Sequence, residues 1–289
     1  MASMRDIKRR KESVQSTGQI TKAMKLVSSV KLQKAKVGAE VSKPYFDAMY
    51  EAVAAMIAKS GEMSPPFLQK SRSDKKAVIL ITSNRGLAGG YNSNAVKLLT
   101  KDERFTTENT VVYAVGTKGR DSVEREGYTI AGDYSEAINE PLYADASEIG
   151  KEVLSKFTMG EIGEIYLIYT IFKNTMVQIP TMMKLLPIDA SDITADAENP
   201  IDRITLMNYE PAPEEALNAI IPKYVNSLIF GGLVESHASE NGARMQAMDS
   251  ATSNAEEMIS DLSLKYNRAR QASITQELTE IIAGASAIS

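Results

Sequence analysis

The apolar positions near the C-terminus recur with a seven-residue period, over a long stretch without a helix breaker. Residues 243–283 contain neither glycine nor proline. At a rise of about 1.5 Å per residue, the stretch predicts one helix roughly 60 Å long. A typical helix has about three turns, so a helix of this length must pack along another helix or pass through a partner.

The residues that repeat at this period form a thin seam. A seven-residue repeat indicates a left-handed coiled coil, in which Leu, Ile and Val usually fill the seam. Here alanine is the commonest residue, and each alanine contact contributes little free energy because it buries little area. The pattern favours close approach of two slender helices; the alternative is a core helix of an ordinary bundle. The seam consists of Met248, Ala255, Leu262, Ala269, Gln276 and Ala283, alternating with Thr252, Ile259, Tyr266, Ser273 and Glu280.

Residues 1–60 also have a helical pattern, with Gly18, Gly38 and Pro44 as the only helix breakers. Pro44 predicts a kink or the end of a helical segment, because proline lacks the N–H that the helix needs. The apolar positions are again sparse, and they comprise Ile7, Val14, Ile20, Met24, Val27 and Val30.

The N-terminal segment is strongly basic, although the formal net charge of the chain is −4. Up to Lys36 it carries ten Lys or Arg residues against Asp6 and Glu12. Such a helix predicts an acidic partner, which is a nucleic acid, an anionic lipid or an acidic protein surface. No aromatic residue precedes Tyr45 to stack on bases, and Gln and Thr interrupt the apolar face that a membrane-surface helix needs. An acidic protein surface fits best.

Between the helical ends, strand patterns alternate with helix patterns, which predicts a small α/β domain with a largely parallel sheet. Residues 61–75 predict a linker and residues 189–200 a polar loop. The predicted helices cover 94–99, 117–126 and 147–157. The predicted strands cover 77–82, 110–115, 165–172 and 177–187, and the last contains Pro180, which places it at a sheet edge.

A glycine-rich turn, residues 82–92, follows the first predicted strand. The GxGxxG and GxxxxGK[ST] spacings are both absent, and no acidic residue ends the second strand. The turn therefore favours a tight loop, in which glycine permits positive φ or close packing, over the alternative of a nucleotide site.

Composition argues against several other classes of site. The absence of cysteine excludes disulfides, thiol catalysis and cysteine-ligated metals, and the single histidine, His237, excludes a histidine cluster. We expect His237 to be a packing or surface residue. No uninterrupted apolar run approaches the roughly 18–20 residues that span a bilayer, and the charged N-terminus is not typical of a signal peptide. The sequence offers no convincing active site and predicts no cofactor.

Three segments resemble the γ (central-stalk) subunits of F-type ATP synthases, in the bacterial form. They are RDIKRR…SVQSTGQITKAMKLVSS within residues 1–31, TSNRGLAGGYN at 82–92, and SENGARMQAMDSATSNAEEMI…YNRARQASITQELTEIIAGASAI at 239–288. The resemblance implies a long antiparallel coiled coil of the N- and C-terminal helices plus a Rossmann-like α/β domain. The implied segments are 1–60 for the N-terminal helix, 76–200 for the α/β domain and 208–289 for the C-terminal helix.

The resemblance also implies a function. The chain would be a central rotor shaft without an active site, transmitting torque between a proton-driven c-ring and the catalytic sites of an α3β3 hexamer, and so regulating ATPase activity and proton flow. The implied partners are the α, β and ε subunits and the c-ring, with no nucleic acid. The chain would lie on the cytoplasmic side of the inner or plasma membrane as a peripheral component.

Motif matching carries the family's contact residues onto this chain. Arg270, Gln271 and Thr275 resemble a polar catch for β, and Tyr209 and Glu210 resemble a foot near ε and the c-ring. The apolar C-terminal residues Ile281, Ile282, Ala285 and Ile288 would occupy a hydrophobic sleeve in the hexamer. The residues that would face acidic loops of β are Lys8, Arg9, Arg10, Lys11, Met24 and Lys25.

Two other hypotheses remain open at this point. The turn at 82–92 is compatible with an α/β enzyme or nucleotide-binding module with helical arms, and tight binding of ATP, ADP or NAD would support it. The basic N-terminal helix is compatible with a nucleic-acid adaptor, which requires a salt-dependent gel shift.

Overall fold

The computed structural model describes residues 4–60, 67–69, 73–188 and 213–288. The helices are α1 (Met4–Ser60), α2 (Tyr91–Thr100), α3 (Thr117–Arg125), α4 (Tyr143–Thr158) and α5 (Pro213–Ile288), with a 3₁₀ turn at Ser135–Ile138. The strands are β1 (Lys76–Ile81), β2 (Thr110–Val115), β3 (Thr129–Asp133), β4 (Glu164–Phe172) and β5 (Gln178–Leu186).

The five strands form one sheet in the order β3-β2-β1-β4-β5. β1 pairs in parallel with β2 and β4, and β3 pairs in parallel with β2, whereas β5 is antiparallel to β4. The predicted largely parallel sheet is therefore confirmed. Pro180 lies on the edge strand β5, where the missing N–H costs no central ladder bond.

Both faces of the sheet are buried, which explains the continuous apolar runs of its central strands. Ile79 and Ile81 of β1 belong to one core, together with apolar residues of α1, α4 and α5. Val78 and Leu80 point to the other face and pack with apolar residues of α2 and α3. The result is a sheet between two helical layers, which confirms the predicted Rossmann-like domain.

The chain forms two compact units. One consists of the start of α1, up to Ser28, with the part of α5 from Met245 onward. The other extends from Ser29 to Arg244 and contains the sheet. Since α1 and α5 contribute to both units, each helix has two kinds of packing partner along its length.

Both long helices continue through a proline. α1 continues through Pro44 without ending, and Val53, Ala54 and Ile57 beyond it are buried in the sheet's core. Their packing compensates for the hydrogen bond that Pro44 removes. α5 begins at Pro213 and contains Pro222, so it is much longer than the breaker-free stretch from which its presence was predicted.

The sequence pattern did not predict β3. This edge strand has no fully buried position, and its pairing with β2 is irregular between Val112 and Tyr113. A short strand with little apolar periodicity gives no signal of the kind that identified the other four. The predicted loop at 189–200 lies outside the described residues.

Within the described residues, one helix is long and apolar enough by composition to cross a membrane. An 18-residue window in Glu215–Ser286 has a mean hydropathy of 1.2, and half of it is buried in the protein. The window is interrupted by polar residues, so the expectation of no uninterrupted apolar run holds. α5 supplies Leu217, Ile221, Val225, Ile229 and Leu233 to the sheet's core, which explains its hydropathy.

The junction of β2 and α3 depends on a glycine in close contact with the end of β1. Gly116 has a φ of +105°, and a Cβ built on it would lie 2.3 Å from the Thr82 carbonyl oxygen. The Thr82 hydroxyl shares its single proton between the carbonyl oxygens of Val115 and Gly116 and accepts from the Gly119 N–H. Only glycine provides both the left-handed φ and the space that this contact requires.

We expect Gly116→Ala to destabilise the protein by more than about 2 kcal/mol, because it combines backbone strain with a clash against main-chain atoms. Chemical denaturation of the full chain measures the change. Gly284→Ala in α5 is the control, since nothing lies within 4 Å of a Cβ at Gly284. Equal stability of the two variants contradicts the assigned role of Gly116.

Candidate partner-binding surface

The unit formed by the start of α1 and the end of α5 is held by contacts between small and polar side chains. The Thr21 and Thr252 hydroxyl oxygens lie 2.8 Å apart, and Lys25 Nζ donates to Asp249 Oδ1 at 2.6 Å. A Cβ on Gly18 would lie 3.3 Å from the Ala255 Cβ. Residue numbers decrease in α1 as they increase in α5, so the two helices are antiparallel, which confirms the predicted coiled coil.

The polar residues of this seam are satisfied within the protein. Thr21 Oγ1 lies 3.0 Å from the Gly18 carbonyl oxygen, and Thr252 Oγ1 lies 2.8 Å from that of Met248. Each hydroxyl has one proton, so one threonine donates to its own preceding turn while the other donates across the seam, and both donors are satisfied. The seam therefore combines short side chains with hydrogen-bonded hydroxyls, and the helices approach closely.

The seam follows the predicted seven-residue repeat only over its first half. Met248, Ala255 and Leu262 are buried, whereas Gln276 and Ala283 are exposed. Extending the register from Gly18–Ala255 places Met4, the first described residue of α1, level with about Ala269. Beyond Ala269, α5 extends past the described part of α1. The prediction that Gln276 and Ala283 lie in a seam with α1 was therefore wrong within this chain.

The end of α5 carries an exposed apolar stripe. Ile274, Leu278, Ile281 and Ile282 are each about half exposed or more. Their spacing of four, seven and eight residues places them on one face of the helix. An exposed apolar stripe of this kind indicates a surface that binds a partner.

The three residues predicted to form a catch precede this stripe or lie at its start. Arg270, Gln271 and Thr275 are all exposed. Thr275 Oγ1 donates to the Gln271 carbonyl oxygen at 2.9 Å, so its hydroxyl proton is already used within the helix. Among the described residues, no carboxylate lies within salt-bridge distance of Arg270, and its guanidinium donors are available to an external acceptor.

The basic residues differ in how accessible they are. Lys8, Arg9 and Arg10 are exposed, whereas Lys11 and Lys25 are partly buried. Lys8 Nζ lies 4.0 Å from Glu12 Oε1 with both side chains largely exposed, so that pair contributes little stability.

Lys25 is the exception within the predicted basic face, because its ammonium group already pairs with Asp249. It holds α1 to α5 before any partner is present. Met24 is partly buried beside it. The proposed foot residues, Tyr209 and Glu210, lie outside the described residues.

The glycine-rich turn after β1 is packed against neighbouring polar groups. Asn84 Oδ1 accepts from the Thr117 N–H at 3.0 Å, at the N-terminus of α3, where a bound phosphate would otherwise be held. Asn84 Nδ2 donates to the Ser135 carbonyl oxygen. Gly89 has a φ of +57°, as the tight-loop interpretation predicted. The geometry gives no support to the nucleotide-site alternative.

Arg244 of α5 fixes this turn, and sequence reasoning did not identify it. Its guanidinium donates to the carbonyl oxygens of Arg85 and Gly86 and pairs with Glu240 Oε1 at 2.7 Å. Both side chains of the pair are about one-tenth exposed. Burial raises the pKa of Glu240, and the charge of Arg244 opposes this rise. The only sequence signal was a pair of opposite charges four residues apart in a segment of mostly small residues.

His237 is a packing residue, as expected. Burial lowers its pKa to about 4, and the positive charges of Lys31, Arg244 and Lys34 act in the same direction. Glu140 opposes them weakly. Among the described residues, no group of His, Asp and Glu side chains has the arrangement of a metal site.

Comparisons with known proteins agree with this architecture. The family model described as ATP synthase matches residues 3–288. The ATP synthase gamma chain of Lachnoclostridium phytofermentans is 67% identical over an alignment of 291 positions that covers 100% of both chains. The gamma chain of Acetobacterium woodii named as sodium ion specific is 45% identical over 99% of both chains. A chain in the mitochondrial ATP synthase of Euglena gracilis has the same fold, with a TM-score of 0.68, 20% identity, and coverage of 99% of this chain and 94% of that one.

Two long antiparallel helices together with a Rossmann-like domain are the architecture of the central-stalk subunits of rotary ATP synthases. The chain belongs to the ATP synthase gamma-chain family. As a gamma subunit it is a non-catalytic component of the complex, in the central stalk of F1. The family resemblance, the fold class and the central-stalk function predicted from the sequence are thereby confirmed, whereas the contact residues stay predictions.

We expect His237 to reduce stability as the pH falls from about 6.5 to about 4. In that interval the unfolded chain binds a proton at this histidine and the folded chain does not, so protonation favours unfolding. His237→Asn removes this contribution. Between pH 7 and about pH 4, the thermal unfolding midpoint of the wild type should therefore fall further than that of the variant. A pH-independent difference contradicts the depressed pKa.

Proposed function

We propose that this chain is the shaft that transmits torque between an ion-driven c-ring and the catalytic sites of an α3β3 hexamer. The observation that carries the proposal is the exposed end of α5, where an apolar stripe follows Arg270 and Gln271 beyond the level of Met4. A helix end that exposes both apolar area and free guanidinium donors needs a surrounding partner. A hexamer with a central opening supplies one.

Torque transfer requires that the shaft interact unequally with the β subunits. A rotor with equal contacts at every angle shifts no conformational equilibrium, however tightly it is held. Arg270 lies on one side of a single helix, so its charge-assisted hydrogen bonds reach one β subunit at a time. The rotor angle then selects which β conformation is most stable.

The slender seam also supports this function. Gly18, Thr21, Ala255 and Thr252 keep the two helices close, so the shaft occupies a small cross-section. Weak apolar contacts at the outer surface favour rotation, because a tight fit at one angle would add a barrier to leaving it.

The exposed bases Lys8, Arg9 and Arg10 are proposed to face acidic loops of the β subunits. Charged side chains in solvent interact over about 10 Å at 0.1 M salt, so the contact guides the position of the shaft without locking it. Lys25 is proposed to contribute less, since Asp249 already neutralises it.

The remaining partners and the location follow from the same proposal. The α/β domain and the predicted foot residues Tyr209 and Glu210 would contact the ε subunit and the c-ring. The chain would be peripheral to the membrane, on its cytoplasmic side, through the complex. The driving ion, a proton or the sodium ion named for the Acetobacterium woodii relative, would act at the c-ring. In this way the shaft couples ion flow to ATP synthesis and restrains uncoupled hydrolysis.

We expect Arg270→Ala to lower coupled ATP synthesis by the reconstituted complex about tenfold or more, since charge-assisted hydrogen bonds contribute roughly 1.5–3 kcal/mol. The stability of the isolated chain should not change, because Arg270 is exposed. Arg268→Ala is the matched control, being exposed two residues away on a different face of α5. If both variants lose activity equally, Arg270 has no specific role as a catch.

We expect the double variant Arg9→Gln with Arg10→Gln to change ATP hydrolysis by the complex at low ionic strength. The difference from the wild type should vanish at high salt, where exposed charges are screened. Lys101→Gln with Lys118→Gln, exposed on the α/β domain, is the control with the same change in net charge. An effect that persists at high salt, or that the control reproduces, argues against contact with acidic loops.

A further inference from the structure

A cavity of about 250 Å³ lies within the unit that contains the sheet. Its walls come from α1, from β4 and β5, and from α5. The central stalk function described above does not use it. It is open on one side and adjoins the main apolar core, so a small molecule can enter without unfolding the sheet.

The lining is rich in aromatic side chains. Phe46 and Tyr50 come from α1, Tyr169 from β4 and Tyr224 from α5. Aromatic ring faces carry partial negative charge, so several rings around one space favour an organic cation. Burial raises the pKa values of Tyr169 and Tyr224 to about 12, so both phenols are neutral at physiological pH.

A carboxyl group completes the cavity. Glu235 of α5 lines its wall, and its Oε2 is buried without a hydrogen-bond partner among the described residues. In the described part of the chain, no Lys or Arg side chain forms an ion pair with Glu235. Burial raises its pKa, and a backbone hydrogen bond from Phe172 opposes that rise. A buried carboxyl with an unused oxygen carries a free-energy cost that a donor would remove.

The helix leaves room for the cavity because two glycines face the sheet and α1. At Gly232 a Cβ would lie 3.0 Å from Leu167 Cδ2, so this glycine is needed for close packing. At Gly231 a Cβ would lie 3.8 Å from the Phe46 ring, which is an ordinary contact distance. Gly231 therefore is not required by packing, and it keeps space open beside Phe46.

We propose that this cavity is a binding site for a small organic ammonium ion with an apolar body. The ammonium group would donate to the Glu235 carboxylate, and the apolar part would lie among the aromatic rings. A neutral ligand of the same shape would form only an uncharged hydrogen bond with Glu235, and an anion would be repelled by it. Metal ions are disfavoured, because Glu235 is the only carboxyl group among the described residues of the lining.

The site is tested with three probes of nearly equal shape and different charge: tryptamine, the neutral alcohol tryptophol and the anion indole-3-acetate. Ligand-observed NMR titrations of the full chain at neutral pH measure each dissociation constant. We expect tryptamine to bind about tenfold or more tightly than tryptophol, as one charge-assisted hydrogen bond provides. Indole-3-acetate should bind more weakly than either.

Two variants connect binding to the cavity. Glu235→Gln keeps the side-chain shape and should reduce the affinity for tryptamine to that for tryptophol, whereas Glu215→Gln, exposed on the same helix, should change neither. Gly231→Ala should weaken both probes by adding a methyl group beside Phe46, whereas Gly284→Ala should not. Thermal unfolding of each variant verifies that the fold is retained.

The proposal is overturned if the three probes bind equally, if Glu235→Gln in a folded variant leaves tryptamine binding unchanged, or if no probe binds at millimolar concentration. These outcomes are independent of the torque-transmission proposal, since they concern the isolated chain.

Discussion

The close approach of α1 and α5 at Gly18 and Ala255 is the contact on which the shaft depends. A larger side chain at either position would push the helices apart and separate the Thr21 and Thr252 hydroxyls, which now lie 2.8 Å apart. Small residues give little apolar burial, so the seam draws part of its specificity from hydrogen bonds and from the Lys25–Asp249 pair. The central-stalk function explains why a thin helix pair is favoured over a stronger and wider coiled coil.

Within the unit that contains the sheet, the same two helices are held by a different kind of contact. There they cover one face of a five-stranded sheet with a conventional apolar core. Polar contacts fix the orientation of α5 on the sheet. Arg244 donates to the carbonyl oxygens of the turn after β1, and Ser236 and Ser239 hydrogen-bond with the Thr170 backbone. Buried hydrogen bonds of this kind resist rotation of a helix about its own axis more than apolar contacts do.

The features that repeat along the chain could be predicted from the sequence. The seven-residue period identified Met248, Ala255 and Leu262 as seam residues, and apolar runs identified four of the five strands. The period did not show where the partner helix ends, which is why Gln276 and Ala283 are exposed. Arg244 and Glu235 were missed because their roles depend on residues from distant elements, such as Gly86 and Tyr169.

The central claim is that the start of α1 and the part of α5 from Met245 onward form one unit that turns as a whole, and a cysteine pair in the seam tests it most directly. The chain has no native cysteine, so Thr21→Cys with Thr252→Cys introduces the only two thiols of this subunit. The account predicts that oxidation forms a disulfide within the chain and that the assembled complex then retains its rate of ATP hydrolysis. Failure of the disulfide to form, or loss of hydrolysis that reduction restores, would contradict it.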